Sequence, residues 1–324
     1  MRRDQALVIL AGMAAVDRQP SQASMASLDD ALAGVWAVAA LGRLAESGTL
    51  ARLGAGEGVV DDPLELADAQ LLVAYGLLDA GGLGYRVPSG VALTADGSAG
   101  LARGHLLQAI AHTRGHPSGW QDGDRAILHA QGRASTHLAG VIEDDLLPLM
   151  PEARNALGSG RGRLLDVGVG IAALSIALAE RFPGIHVVGL DVLPAALEIA
   201  GTQIAVAAMR DTIELRLQSV TEMTDQTTFD VAWVPQMFIA REELEAGLER
   251  VWTALRPGGW IILALAGGGD GGRIDAYHAL LATTLGGGPM TVAQGTELLN
   301  RHRFSSLIRS DALHPHPLLL AQRT

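Results

Sequence analysis

Cysteine is missing from all 324 residues of this chain, which removes disulfides, thiolate metal sites and a cysteine nucleophile from consideration. Lysine is missing too. All 24 basic side chains are arginines, and with the abundant alanine and glycine this reads as a GC-rich bacterial coding bias, not a chemical demand. Positive charge is scarce overall. The formal net charge of −11 argues against a general affinity for nucleic acid or anionic membranes. No apolar run approaches the ~20 residues of a membrane span, and no internal repeat or low-complexity segment is present. What the chain does have is 48% hydrophobic against 18% charged residues, the composition of a well-packed globular protein. Its length favours two domains over one.

The apolar stretch 6–16 follows Met1, Arg2, Arg3 and Asp4 and has the length of a short signal peptide. Asp4 spoils the basic flank, so an amphipathic first helix and a cytoplasmic location are expected. The pattern then stays helical. Ala31–Leu50 is apolar-rich, and Asp61, Asp62 and Pro63 cap a helix running to Leu77. Turns and brief alternation follow near Gly81–Pro88. Helix, helix and small β-wing describe a winged-helix-like module. A DNA reader would place basic residues on its second helix, whereas this one carries Asp61, Asp62, Glu65 and Asp68. Dimerisation and a substrate-lid role fit the segment better. Further helices are expected through His105 and His112, near Asp122–Gln131, and from Ser135 to Leu149, with a boundary at Gly158–Gly162.

From residue 163 the pattern alternates between strand and helix. Strands are expected at 163–168, 185–191, 213–218, 229–234 and 259–265, with helices near 171–182, 194–208 and 241–255. Helices near 275–285 and 291–301 precede two apolar runs at 304–310 and 316–322. Their short link is too tight for a parallel crossover, so they should pair antiparallel. Such alternation implies a doubly wound parallel sheet.

The most informative stretch is 163–191, where an apolar run ends in Asp166-Val167-Gly168-Val169-Gly170, a helix follows, and a second run closes on Asp191. This strand–turn–helix–strand unit holds an adenosine-containing cofactor at the carboxyl edge of a parallel sheet. The glycines alone do not choose the cofactor, because Gly168 to Ala173 also fits the nicotinamide-type GxGxxA pattern. Asp166 favours S-adenosylmethionine. An acid there can receive a cofactor ammonium, whereas at a pyrophosphate site it would face phosphates. The long helical segment ahead of the unit, and Ala254-Leu255-Arg256-Pro257-Gly258-Gly259-Trp260 leading into an apolar strand, point the same way. Gly168 and Gly170 let the backbone pass close to a ligand where a Cβ would collide. Asp191 stands where a ribose-binding acid belongs; a helix cap ahead of Pro194 is its plainer reading.

The D-x-G-x-G turn and the RPGG junction together resemble class I S-adenosylmethionine-dependent methyltransferases. Residues 1–160 resemble the helical dimerising domain of small-molecule O-methyltransferases of bacterial specialised metabolism. The resemblance implies a seven-stranded Rossmann-like sheet of order 3-2-1-4-5-7-6 in residues 161–324, a mainly helical domain in 1–160, and a homodimer formed through the latter. It implies a cofactor site made by Asp166, Gly168, Gly170, Asp191, Val192, Ser219, Val220 and Val234, with Arg133 holding the cofactor carboxylate or else bridging to Glu143 or Asp144. Two departures stand out. Ala172 replaces the common third glycine, and Ser219 occupies the position of the acid that reads adenine.

Many relatives place a catalytic base in a His-Asp-Trp segment after the fourth strand of the sheet; here that segment is Phe238-Ile239-Ala240-Arg241. Three readings remain open. One of His112, His116, His129 or His137 serves as the base, the nucleophile needs none, or the bound cofactor supports a non-methylating step such as cyclisation or decarboxylation. Gln236 can orient a ligand or sit as a surface amide. His112 and His116 are four apart, but Gly115 and Pro117 break the helix there and no third ligand is visible, so no metal is expected. Glu242 and Glu243 read as a solvated helix face.

Overall fold

The computed structural model describes residues 22–82, 84–89, 95–115, 124–266, 273–313 and 316–324. The N-terminal stretch 1–21, with the expected first helix, and His116 lie outside them. Helices Gln22–Glu46 (α1), Thr49–Gly54 (α2) and Pro63–Ala74 (α3) lead into a hairpin of Asp79–Gly81 (β1) and Gly84–Arg86 (β2). The start of α3 is set by local chemistry. The Asp62 carboxylate accepts hydrogen bonds from Leu64 N and Glu65 N, and Pro63 occupies the first turn, where an amide would go unused. The acids at the start of α3 pair with the neighbouring helices: Arg43 of α1 bridges Asp62 (3.1 Å) and Asp68 (3.3 Å), and Thr49 of α2 donates to Glu65 (2.7 Å).

Ala95–Thr113 (α4) and Arg125–Ser135 (α5) follow. They pack closely because small residues line their contact. A Cβ on Gly100 would stand 2.7 Å from Ala130 O and Ala134 N. Asp124 caps α5 by accepting from Ala126 N and Ile127 N. The long helix expected from Ser135 to Leu149 is broken. Leu138–Val141 (α6) passes into a π turn at Ile142–Leu146 and a 3₁₀ turn at Leu147–Leu149. Pro148, which lacks an amide and clashes with the preceding turn, prevents a continuous α-helix. Pro151–Gly158 (α7) completes this half.

The sheet is built from Arg163–Val167 (β3), His186–Asp191 (β4), Ile213–Leu217 (β5), Phe229–Pro235 (β6), Leu255–Ala264 (β7), Phe304–Ser310 (β8) and Leu318–Arg323 (β9). Its order is β5-β4-β3-β6-β7-β9-β8. Counted from β3, that is the 3-2-1-4-5-7-6 order expected above. The first five strands run parallel, and β9 lies antiparallel between β7 and β8. Helices Ala173–Arg181 (α8), Pro194–Val206 (α9), Arg241–Ala254 (α10), Arg273–Leu285 (α11) and Val292–Arg301 (α12) fill the connections. Buried side chains form a core on each face of the sheet, Leu164, Val187 and Ile262 on one and Leu165, Val188 and Leu263 on the other. Alternate residues of a strand point to opposite faces, so strands buried on both read as continuous apolar runs.

One boundary differs from expectation. Arg256-Pro257-Gly258-Gly259 is a bulge inside β7 and not a linker ahead of it, since β6 pairs Phe229 with Leu255 and then Val231 with Trp260. Gly258 takes φ 82°, and a Cβ on Gly259 would lie 2.9 Å from Arg256 O. An ion pair, Arg256 to Asp230 at 2.8 Å, pins the bulge.

The helical half docks on the sheet half at Gly132. A Cβ there would come within 2.1 Å of the Ile171 side chain, so α5 sits directly on the turn after β3. Gly132→Ala is expected to destabilise the fold by about 1–3 kcal/mol through overpacking. Adding Ile171→Ala should recover part of that loss, a positive coupling readable from denaturant midpoints in a double-mutant cycle.

Candidate functional site

The carboxyl ends of β3, β4 and β6 converge on the turn Gly168–Ala172. Three of its residues take left-handed backbone: Gly168 (φ 70°), Gly170 (φ 56°) and Ala172 (φ 64°). The two glycines adopt this at no steric cost. Ala172, standing where a third glycine is common, bears the strain of a Cβ in that region, on the order of 1–2 kcal/mol. Gly168 N and Val169 N both donate to Leu190 O (2.8 and 2.9 Å), which fastens the turn to the end of β4. Gly168 is exposed between buried neighbours, and a Cβ on it would meet nothing closer than Pro235 at 3.9 Å. The space above the turn is therefore open to a ligand.

Asp191 closes β4 and is 5% exposed. Its Oδ2 accepts from Gly170 N (2.8 Å) and its Oδ1 from Leu193 N (2.9 Å). Asp191 is not the cap of α9, whose first-turn amides it does not meet; it ties the turn after β3 to the residue that precedes α9. Burial raises its pKa, opposed by the amides of Leu193, Gly170 and Val192. Two lone-pair positions per oxygen leave capacity for further donors. Val192, beside it, is 61% exposed, an apolar side chain at the crevice edge.

Asp166 is buried at the end of β3, and Ser175 Oγ, on the first turn of α8, donates to its Oδ2 at 2.6 Å. Burial pushes its pKa up to about 7, against the Ser175 bond and with help from the neighbouring Asp191 charge. A cation placed over the turn would draw it back to the ionised form.

Around the rim, Ser219 caps a 3₁₀ turn at Val220–Glu222 in a capping box. Its hydroxyl accepts from Thr221 N (3.2 Å) while Ser219 N donates to Glu222 (3.3 Å). Val220 is buried against Gly247 of α10, and Val234, 1% exposed, belongs to the core. Gln236 is fully buried, not a surface amide. Its Nε2 donates to Gly287 O and Gly288 O, and its Oε1 accepts from Ala266 N. It therefore ties the end of β6 to the segment after α11.

The helical residues are placed differently from one another. Arg133 lies on α5 next to Gly132 and pairs with Glu46 of α1 at 2.8 Å; Glu143 instead bonds Arg181. His112, His129 and His137 are all exposed, and His137 Nδ1 is already bonded to Ala134 O (2.6 Å). The structure assembles a different set. His105 of α4 meets Tyr277 of α11, and His278 of α11 packs against His316 ahead of β9. A sequence signal for it existed only in part, as histidines at 105, 278 and 316 with nothing to bring them together. Among the described residues no group of three or more His, Asp or Glu side chains is arranged to hold a metal, and no helix is long and apolar enough to cross a membrane.

Residues 164–259 match the methyltransferase domain family. The release factor glutamine methyltransferase of Cereibacter sphaeroides is 29% identical over 164 residues, 49% of this chain and 54% of that protein. The chain thus spans about half the length of the curated relatives it matches. Among solved structures, the apo form of the S-adenosylmethionine-dependent methyltransferase SibL superposes with TM-score 0.61 at 19% identity, covering 92% of this chain and 98% of that one. An O-methyltransferase family protein from Burkholderia thailandensis gives TM-score 0.61 at 16% identity, covering 95% and 99%. At these identities the likeness is one of fold, and it extends through the helical half.

Because Asp166 is raised from 3.8 to about 7, the folded chain keeps a proton that the unfolded chain loses between those values. Its contribution to stability therefore falls as pH rises from about 4 to 7 and is level above, a loss of a few kcal/mol at ~1.4 kcal/mol per pKa unit. Asp166→Asn keeps an oxygen for Ser175 and should flatten this part of the profile, as checked by urea melts across that range.

Proposed function

We propose that the protein is a class I S-adenosylmethionine-dependent methyltransferase that methylates a hydroxyl group of a small-molecule acceptor, a reading supported by the methyltransferase domain matched over residues 164–259. The observation that carries this reading is the exposed, Cβ-free Gly168 turn set between two buried carboxyls, Asp166 and Asp191. The residues present fit the cofactor. Asp191 retains acceptor capacity for ribose hydroxyls, Val192 offers an apolar surface at the crevice edge, and Asp166 answers a positive charge. Ser219 and Val220 lie at the next strand end, and Val234 contributes through the wall behind the turn. Gly168 and Gly170 give backbone access. Arg133, held by Glu46, sits on the helix that covers the turn, within the same layer.

When bound, S-adenosylmethionine supplies an electrophilic methyl on a positively charged sulfur. What the protein must add is alignment and exclusion of water, and positioning alone can supply up to ~7–11 kcal/mol. α5 serves this end. Leu128 packs with Ile171, Ala196 and Ile199 and roofs the glycine turn. Support for oxygen as the acceptor atom comes from the near full-length likeness to an O-methyltransferase family protein. A non-methylating reaction is the second reading, favoured only by the lack of a proton acceptor among the side chains of Phe238–Ala240.

We further infer a homodimer formed through the helical domain, 1–160. The exposed face of α1 carries Leu32 (53%), Val35 (53%) and Trp36 (71%), an apolar strip at helical spacing that solvent does not favour. Trp36→Asp should convert the dimer to monomer, measured by light scattering.

Methyl transfer is tested by incubating the protein with S-adenosylmethionine and hydroxylated small molecules. A product heavier by one CH₂ unit, with S-adenosylhomocysteine formed in equal amount, is the expected result. Cofactor binding without any mass gain would favour the second reading, and no binding would overturn both. Asp191→Ala should weaken S-adenosylmethionine binding by at least ~10-fold, in line with ~1.5–3 kcal/mol per charged hydrogen bond, read by calorimetry.

A further inference from the structure

The side chains gathered between α4 and α11 lie over the carboxyl rim of the sheet at the ends of β7 and β9, with β6 between them and the strand that carries the glycine turn. Tyr277 Oη is 3.1 Å from His105 Nδ1 and 3.5 Å from Nε2, so the hydrogen bond belongs to Nδ1. The Tyr277 and His278 rings are 5.1 Å apart, and His278 lies 4.6 Å from His316. Three contacts fix the cluster to the rim. Leu265 N, just past β7, donates to Pro317 O, next to His316. Ala264 pairs with Leu318. Gln236, at the end of β6, holds the carbonyls of Gly287 and Gly288 just after α11.

One turn along α4 from His105, and so on the same face, stands Gln108. It is 6% exposed, and neither its amide nitrogen nor its amide oxygen has a hydrogen-bond partner. A buried amide with both ends unmet is a costly arrangement that native proteins keep where something else completes it. Hydroxyl, imidazole and unmet amide thus stand on α4 and α11, on the β7–β9 side of the rim.

We propose that this cluster is the acceptor site, in which His105 is the general base for the acceptor hydroxyl and Gln108 binds a second polar group of the same acceptor. The proposal rests on the methyl-transfer reading. With Nδ1–H donating to Tyr277, His105 Nε2 presents its lone pair and takes the proton of the hydroxyl. The oxygen lone pair forms the new O–C bond as the S–C bond breaks. The electron pair stays on sulfur, which becomes neutral, and the positive charge ends on the imidazolium. Burial first and His278 second hold the His105 pKa below its ordinary 6.5, so the ring is neutral and receptive at pH 7. Tyr277 and His278 face it from α11, with His316 behind His278. On the α5 side of α4, His129 and Arg133 line a separate depression with Gly100 and Arg103. Together these groups replace the base missing from Phe238–Ala240.

The test uses the full chain with S-adenosylmethionine and three hydroxylated probes: a catechol, a naphthol and a flavonol. His105→Gln should lower kcat by ~100-fold or more, leave S-adenosylhomocysteine binding unchanged by calorimetry, and abolish the acid limb of the kcat profile expected below pH 6.5. Tyr277→Phe removes only a hydroxyl and should lower kcat several-fold without affecting the melt. Gln108→Leu should raise the acceptor KM by about tenfold, as expected for one lost hydrogen bond. A wild-type enzyme that methylates a probe while His105→Gln keeps both its kcat and its acid limb overturns this proposal alone. A wild-type enzyme that binds S-adenosylhomocysteine and methylates none of the three overturns the methyl-transfer reading and this proposal with it.

Discussion

Two backbone amides, Gly170 N and Leu193 N, point at the single carboxylate of Asp191, and the geometry of the cofactor crevice follows from that. The first amide belongs to the turn after β3 and the second to the approach to α9. Holding both with one side chain locks two loops to the same strand end, and Leu190 O repeats the tie through Gly168 N and Val169 N. A buried carboxylate is costly unless donors surround it. Here the donors are main chain, so the site is assembled before any ligand arrives. Asp166 has no such pair of amides, relies on Ser175, and carries the larger penalty as a raised pKa. The two acids are alike in residue type and unlike in surroundings, which is what separates a structural anchor from a group that answers to charge.

The turn is open at Gly168 and tightly packed at its Ile171–Ala172 end. Ile171 is sandwiched between the turn and Gly132 of α5, within a cluster that includes Leu128, Ala196 and Ile199. This contact transmits the position of the helical half to the cofactor turn. It also explains why Ala172 can remain in a glycine conformation. At 0% exposure its methyl is packed, and contact energy offsets part of the backbone strain.

Features set by local chemistry were legible in the sequence. The cap at Asp62, the acid–glycine turn and the antiparallel tail each depend on residues a few positions apart or on a repeating pattern, whereas the strand order came only from the family resemblance. Features set by contacts between distant segments were not. Nothing near Gln236 in sequence announces that Gly287 and Gly288 consume its amide. For Arg133 the sequence offers the cofactor carboxylate or the nearby acids Glu143 and Asp144, whereas the fold also brings it Glu46 of α1. The Arg256–Gly259 stretch reads as a break because of its proline and glycines, yet parallel pairing continues across it once the bulge absorbs the extra residues. His112 and His129 sit on helix faces turned to solvent, because the periodicity of α4 and α5 commits their other faces to Ala102, Leu128 and Ala130, and His137 lies exposed in the turn between α5 and α6.

The two sides of the crevice are therefore encoded in different ways. The cofactor side is contained in one contiguous stretch, 163–191, whose geometry is fixed by its own backbone. The opposite side draws on α4, α11 and the residues before β9, which come together only when the helical half docks and β9 inserts between β7 and β8. A substitution in the first would alter a site held by main-chain hydrogen bonds and tolerate little. A substitution in the second would alter side chains on separate elements, as His278 and His316 are. Given the proposed acceptor site, that separation lets the identity of the molecule held there change without disturbing the carboxylate-anchored turn, and it puts the determinants of acceptor choice in the docking of helices and not in the sheet.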